Sequence, residues 1–243
     1  MNKIFGRKPV IEALKSESNI DRIYIQYGQH GSAIDEIKKI AGKEKVKITQ
    51  ISPRKFKDIS EGKNTQGIIA VKSSFNYASI EEILYESSQI KFPLILLLDS
   101  IQDPHNLGAI IRTSECAGVN GVIMTIRNSA AINSTVEKTS AGAVNHLRIS
   151  RVNNLIPVIE ELKKKGFWIV GSKIGNSQNY ADIDYKQPIA LVLGNEEKGL
   201  RRLVSEKCDF LAEIPMKGKI QSLNVSVAAG VIMFEILRQR SIS

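Results

Sequence analysis

Cysteine is scarce in this chain. Cys116 and Cys208 are its two cysteines, and they stand far apart, outside any CxxC pair or Cys/His cluster. That excludes a disulfide framework and a zinc site of the usual spacing, and it fits a reducing cytoplasm. Each reads as a small buried residue. No run approaches the roughly 20 uncharged apolar residues that a membrane-spanning helix needs. The opening stretch MNKIFGRKPVIEALKSES lacks the long apolar core and the small-residue cleavage site of a secretory signal. A glycine fingerprint is missing too. The turn DSIQDPHNLG, which follows the apolar run LILLL, holds a single glycine where a dinucleotide-binding Rossmann domain would place GxGxxG. A Rossmann domain, including the common Rossmann methyltransferase, is therefore disfavoured. Internal repeats and low-complexity tracts are also lacking.

What is present is ordinary globular material with a basic excess. The chain has 243 residues and 42% hydrophobic content, enough for one large domain or for a small and a medium one. Its net charge of +9 is spread over both halves and is not a tail, which suits a polyanion such as RNA or DNA.

Periodicity and turn signals predict a small α/β unit over residues 1–75, a polar linker with one helical stretch over 76–90, and a larger α/β domain over 91–243. In that larger part, apolar runs alternate with helix-like stretches. The runs are LILLL (94–98), VIMT (122–125), HLRIS (146–150), WIVGS (168–172), IALVLG (189–194) and FLAEIP (210–215). A long helix is expected from about Leu223 to Arg240. This alternation predicts a mostly parallel sheet with helices on both faces, a form that often binds a nucleotide-like cofactor at the carboxyl ends of its strands.

Three loops at such ends are candidates for chemistry. In the first, Asp103-Pro104 makes a turn and Asn106 is expected to cap a helix that carries Arg112 among Gly108, Ala109, Thr113 and Cys116. Arg112 either has a groove around it or simply pairs with Glu115 at i+3 and snorkels to water. In the second, LVLGNEEKGL, Gly194 permits close approach of a ligand, while Asn195 and the two glutamates suit a helix start. In the third, AEIPMKGKIQSLNVSVAAGVIMFEIL, a basic glycine-containing loop leads into a helix whose small-residue apolar stripe faces the core or a second subunit.

Together and in this order, the loops resemble the SpoU (TrmH-type) RNA ribose 2′-O-methyltransferases. Asn106, Gly108 and Arg112 match that family's first motif. Gly194-Asn195-Glu196 with Gly199 match its second. Ile214-Pro215-Met216 with Ser222-Leu223-Asn224-Val225 match its third, and KTSAGAV (138–144) is similar to its middle segment. The resemblance covers roughly residues 91 to 240. The N-terminal FGRKPVIEAL and NTQGI are similar to the substrate domain of the RlmB-like branch, which methylates a guanosine ribose in 23S ribosomal RNA. Thr65 stands where that branch more often has histidine.

The resemblance implies an α/β fold, with a small N-terminal α/β substrate-binding domain followed by a SPOUT-type methyltransferase domain knotted as a trefoil. It implies S-adenosylmethionine bound in the knot, ribosomal RNA as partner, a homodimer with the site near the subunit interface, no metal and no membrane. It also implies site residues. Gly194, Ile214, Met216, Ser222 and Leu223 would hold the cofactor. Arg112, with Asn106, Glu196 and Asn224, would carry catalysis. A guanidinium stays protonated in proteins, so Arg112 is expected to stabilise negative charge on the ribose oxygen and not to act as base. The basic Arg7, Lys8, Arg54, Lys55 and Lys57 are candidates for RNA contact. A transfer RNA methyltransferase, an antibiotic-resistance enzyme acting on another ribosomal nucleotide, or a non-catalytic RNA-binding assembly factor would carry the same three loops.

Overall fold

A computed structural model of the chain describes residues 3–16, 20–43, 46–72, 75–175 and 177–241. The chain divides into two compact units, Met1–Asn76 with Ala131–Asn133, and Tyr77–Ala130 with Ser134–Ser243.

The first unit runs β1 (Lys3–Phe5), α1 (Arg7–Lys15), β2 (Ile20–Gln26), α2 (Ser32–Lys43), β3 (Lys47–Ile51), α3 (Pro53–Ser60) and β4 (Ile68–Lys72). Its sheet order is β1-β4-β2-β3. Both β1 and β2 run antiparallel to β4, and β3 runs parallel to β2. The helices α1 and α2 cover the sheet with Val10, Ile11, Leu14, Ile34, Ile37 and Ala41, which pack on Ile23, Ile25 and Ile68. Burying each such aliphatic side chain favours folding by roughly 1.5–3 kcal/mol. Thr65 is buried, and its hydroxyl accepts from the Gly67 amide at 3.3 Å, fixing the turn into β4.

The second unit runs α4 (Ile80–Ser88), β5 (Leu94–Leu98), α5 (Pro104–Cys116), β6 (Gly121–Thr125), α6 (Ser134–Thr139), β7 (Ile149–Val152), α7 (Leu155–Lys164), β8 (Trp168–Ser172), β9 (Gln178–Asn179), β10 (Ile189–Leu193), α8 (Arg202–Glu206), β11 (Phe210–Glu213) and α9 (Val225–Ser241). Seven strands form one sheet, ordered β7-β6-β5-β10-β8-β11-β9, and every pair is parallel. Strands β5, β6 and β10 are buried at every residue, which explains why they read as continuous apolar runs.

The structure corrects several expectations. The stretch 76–90 is no linker. Ser79 and Glu82 form a reciprocal capping box that starts α4, and Ile83 and Leu84 enter the core of the second unit. Gly121 leaves room for Ile83, because a Cβ there would lie 2.4 Å from Ile83 Cγ2. Asn106 does not cap α5. Asp103 does, accepting from the His105 amide at 3.0 Å, because Pro104 is pre-set for the first helical position. No helix starts at Asn195. The chain folds back instead in an Asn195–Gly199 bridge, and α8 begins only at Arg202.

Candidate active site

Strand order reverses direction between β5 and β10. β5 leads outward through β6 and β7, while β10 sits between β5 and β8. A crevice outside the carboxyl ends of the strands at such a switch point is the usual ligand position in a parallel sheet. The Asp99 amide donates to the Leu193 carbonyl at 2.8 Å, joining the ends of β5 and β10 there.

Two buried anchors hold the loops in register. Asp99 is fully buried, and its carboxylate accepts from the Arg201 guanidinium at 2.7 Å, although the Arg201 side chain is half exposed. The Ser100 carbonyl accepts from Asn195 Nδ2 at 3.0 Å. Ser100 itself takes φ 69°, an uncommon conformation for a residue with a side chain. Asn195 Oδ1 then accepts from the amides of Glu197 and Lys198, which closes the turn 195–199. Gly194 is required by this closure. A Cβ there would lie 2.3 Å from the Gly199 carbonyl carbon, so what approaches Gly194 so closely is the loop's own backbone and not a ligand.

Beside these anchors lies a cavity of about 350 Å³, walled by the loops after β8, β10 and β11 and by the start of α9. Gly194, Ile214, Met216, Ser222 and Leu223 all line it. Lys173 and Ile174 also line it, and neither was singled out from the sequence. They belong to a loop that Glu213 secures, its carboxylate accepting from the Gly175 amide and the Ser177 hydroxyl. A carboxylate one residue before the Ile-Pro-Met turn was the available signal for that role. Apolar Leu193, Ile214, Leu223 and Ala228 offer a slot for a flat ring, and the polar groups of Lys173, Asn195 and Ser222 rim it. The size and mixed lining fit an adenosine-containing cofactor.

Three of the four nominated catalytic residues meet. Asn224 Nδ2 donates to Asn106 Oδ1 at 3.0 Å, and Asn106 Nδ2 donates to Glu196 Oε1 at 3.2 Å. Asn195 Nδ2 donates to the other Glu196 oxygen at 3.1 Å. Asn224 also caps α9, its Oδ1 accepting from the Ser226 amide at 2.8 Å. All three loops are thus tied into one polar chain.

Arg112 stands apart. Six residues separate it from Asn106, a rotation of about 600° that leaves the two roughly 120° apart and about 9 Å along the helix axis. It is exposed, and among the described residues it forms no hydrogen bond or ion pair, with Glu115 or any other group. Gly108 does not open a groove for it. A Cβ at Gly108 would lie 2.6 Å from Thr139 Cβ, so that glycine exists for the packing of α5 on α6.

Two models of known families match the chain. Residues 93–234 match the SpoU rRNA methylase family, and residues 3–78 match RNA 2′-O ribose methyltransferase substrate binding. The chain belongs to the SpoU rRNA methylase family. A relative from Staphylococcus saprophyticus, provisionally named a TrmH family tRNA/rRNA methyltransferase, is 41% identical over 98% of this chain and 96% of its own. The SpoU methyltransferase AviRb of Streptomyces viridochromogenes, crystallised with AdoMet, shares the fold. Its TM-score is 0.65 at 22% identity, covering 99% of this chain and 91% of that one. An AdoMet-bound rRNA methyltransferase from Sinorhizobium meliloti matches at 25% identity and TM-score 0.63, covering 99% of this chain and 87% of that one. A TrmH/SpoU tRNA modifying enzyme from A. aeolicus matches at 33% identity and TM-score 0.57. It covers 83% of that chain but only 66% of this one.

This SpoU methyltransferase has no helix among its described residues that is long and apolar enough to cross a membrane. The described residues also hold no group of three His, Cys, Asp or Glu placed to bind a metal. The remaining nominated residues lie in the first unit, where Lys8, Arg54, Lys55 and Lys57 are exposed and Arg7 is half-buried.

Proposed function

We propose that the protein transfers a methyl group from S-adenosylmethionine to the 2′-hydroxyl of a guanosine ribose in 23S ribosomal RNA. The polar chain Asn224–Asn106–Glu196 beside the cavity carries this reading. A pure RNA binder has no need to tie three separate loops together at that point.

The cofactor is S-adenosylmethionine, whose sulfonium supplies an already activated methyl. Gly194, Ile214, Met216, Ser222 and Leu223 enclose it, in a segment that threads as a trefoil knot. The work left to the protein is on the acceptor. A ribose hydroxyl is a weak acid and a poor nucleophile, so it must be aligned and its developing negative charge stabilised. Glu196 and Asn224 fix the amide of Asn106, which orients the ribose. Arg112, permanently charged and unpaired, supplies donors to the oxygen, and the hydroxyl proton leaves to a phosphate or to water.

Two copies of the chain form the working unit. The inner face of α9 packs on α5 through Met233, whose sulfur accepts from the Ser114 hydroxyl, while Val227, Phe234 and Leu237 on the other side remain exposed. A helix apolar all round is normally covered all round, and a second copy of α9 is the natural cover. It brings a second polypeptide next to α5, where Arg112 lacks a partner.

The first unit supports the ribosomal reading. The Sinorhizobium rRNA enzyme aligns with nearly the whole chain, whereas the A. aeolicus tRNA enzyme aligns with about two thirds of it. Transfer RNA is the second reading, favoured by the paired tRNA/rRNA naming of the Staphylococcus relative. Radiolabelled S-adenosylmethionine with large-subunit rRNA and, separately, tRNA separates the two. Label mapped to a guanosine ribose of the rRNA is the expected result, and label on tRNA alone sinks the substrate assignment.

A further inference from the structure

In the first unit, β1, β2 and β3 all point the same way, so their carboxyl ends share one end of the sheet. Three short connections leave from it: Gly6 into α1, Tyr27–Gly31 into α2, and Ser52 into α3. This topology gathers Arg7, Lys8, Arg54 and Lys55, which the sequence scatters over nearly fifty positions.

Arg7 is fixed there with unusual completeness. Its backbone amide donates to Gln66 Oε1 at 3.1 Å, its Nε to the Gln66 carbonyl at 3.2 Å, and one terminal nitrogen to Gln29 Oε1 at 2.6 Å. Gln29 lies flat on Gly67, where a Cβ would come 2.3 Å from Gln29 Cδ. Gln66 and Gly67 both take positive φ, 49° and 76°. Strained backbone at a non-glycine residue that clamps an arginine is the kind kept for function. The other terminal nitrogen, Nη1, carries no hydrogen bond among the described residues, and Arg7 borders a cavity of about 420 Å³ lined also with Phe5, Lys8, Pro9, Asn64 and Gln66. Lys63 sits 4.8 Å from the centre of the Phe5 ring.

Two residues before Gln29 stands Tyr27. Its amide donates to the Ile51 carbonyl at 2.9 Å, which anchors it at the end of β3, yet the residue is 58% exposed. An exposed tyrosine two residues from the glutamine that clamps Arg7 suits a nucleobase face, since aromatic stacking and phosphate pairing together are how proteins hold unpaired nucleotides.

We infer that this end of the first unit binds an unpaired RNA nucleotide, with the base stacked on Tyr27 and the neighbouring phosphate paired to Nη1 of Arg7 beside the cavity. The inference rests on the RNA methyltransferase reading and adds what the first unit recognises: a looped or bulged nucleotide instead of a duplex.

The test uses the full chain and two RNA probes of equal length. One is a hairpin with a seven-nucleotide loop carrying 2-aminopurine, and the other is a fully paired duplex. The hairpin should bind more tightly, with a change in 2-aminopurine emission. Tyr27→Ala should weaken hairpin binding roughly 5- to 150-fold, the range expected for one lost base stack, and abolish the emission change. Tyr27→Phe should keep both, and neither variant should alter duplex binding. Arg7→Lys, which keeps the charge but loses the clamp, should also weaken the hairpin alone. Equal affinity for the two RNAs, or a Tyr27→Ala variant that binds the hairpin like wild type, overturns the inference. Calorimetric titration with S-adenosylmethionine reads the other unit separately. Normal cofactor binding alongside failed loop discrimination sinks only this inference, whereas a chain that binds neither RNA sinks the RNA reading with it.

Discussion

Of the four nominated catalytic residues, Arg112 is the one whose side chain has no hydrogen-bond or ion-pair partner among the described residues, and its position separates two accounts of it. A helical arginine serving stability would pair with Glu115 or lay its stem along apolar neighbours. Among the described residues Arg112 pairs with neither Glu115 nor any other acid, and its side chain is exposed, so removing the charge should cost the fold little. Arg112→Ala should reduce methyl transfer by about 10²–10³-fold, as loss of a donor to a developing oxyanion does, and leave calorimetric cofactor affinity and the unfolding midpoint close to wild type. Turnover within a few-fold of wild type would remove Arg112 from the mechanism. The two cysteines behave oppositely. Cys116 is exposed on α5, whereas burial pushes the Cys208 thiol up to about 12 from the usual 9.0. Native protein should therefore release one thiol to alkylating reagent at neutral pH, and two after denaturation. The sign for stability follows. Between pH 9 and 12 the unfolded chain sheds the Cys208 proton and the folded chain keeps it, so this thiol makes stability fall as pH rises across that window.

At the scale of elements, α9 does two jobs at once. Its last turns clamp the segment before β10. Arg240 donates to the carbonyls of Tyr185 and Gln187 at 3.0 and 2.9 Å, and Gln239 donates to those of Ala181 and Ile183. Burial lowers the Arg240 pKa to about 10, which still leaves it charged at neutral pH. Its outer stripe, with Val227, Phe234 and Leu237, is exposed, and in the proposed dimer a second copy covers it. Phe234→Glu places a charge on that stripe without touching the inner face, and should shift the protein from dimer to monomer in light scattering while the unfolding midpoint of the single chain holds. A monomeric wild type would rule the dimer out. This double-sided helix was only half legible in the sequence. The apolar stripe Val225, Ala228, Ala229, Ile232, Met233 and Ile236 marked the core side, where Ala229, Ile232, Met233 and Ile236 are buried, but apolar residues all round give no direction to the second side. Strands were easier, because burial on both faces writes them as unbroken apolar runs. Caps were harder. Asp103 and Asn106 are both good capping types, and Pro104 decided between them only by fixing the first helical position. The Asn195 turn misled for a related reason: asparagine followed by acidic residues caps a tight turn as readily as a helix, and Gly199 at φ 65° was the clue that the chain folds back. The linker expected over 76–90 failed because Ile83 and Leu84 meet their core partners far away in sequence, where local pattern cannot see them.

At the scale of the whole molecule, each unit places most of its nominated residues at or just beyond the carboxyl ends of parallel strands. In the second unit the convergence was legible, because three long motifs each follow an apolar run. In the first it was not. Arg7, Lys8, Arg54 and Lys55 become neighbours in purpose only when β1, β2 and β3 are known to be parallel, and nothing in a single strand states its direction. That common end makes a quantitative demand on RNA binding. Each single-strand phosphate contact removed should lower the slope of log affinity against log salt by about 0.7. Replacing Arg7, Lys8, Arg54, Lys55 and Lys57 together with alanine should therefore weaken RNA binding at low salt and flatten that slope by up to roughly 3.5 units. The cofactor titration should stay unchanged, because the cavity proposed for S-adenosylmethionine is lined by the other unit. A slope identical to wild type would mean that the basic excess of the first unit serves solubility, and that the RNA contacts belong to the second unit.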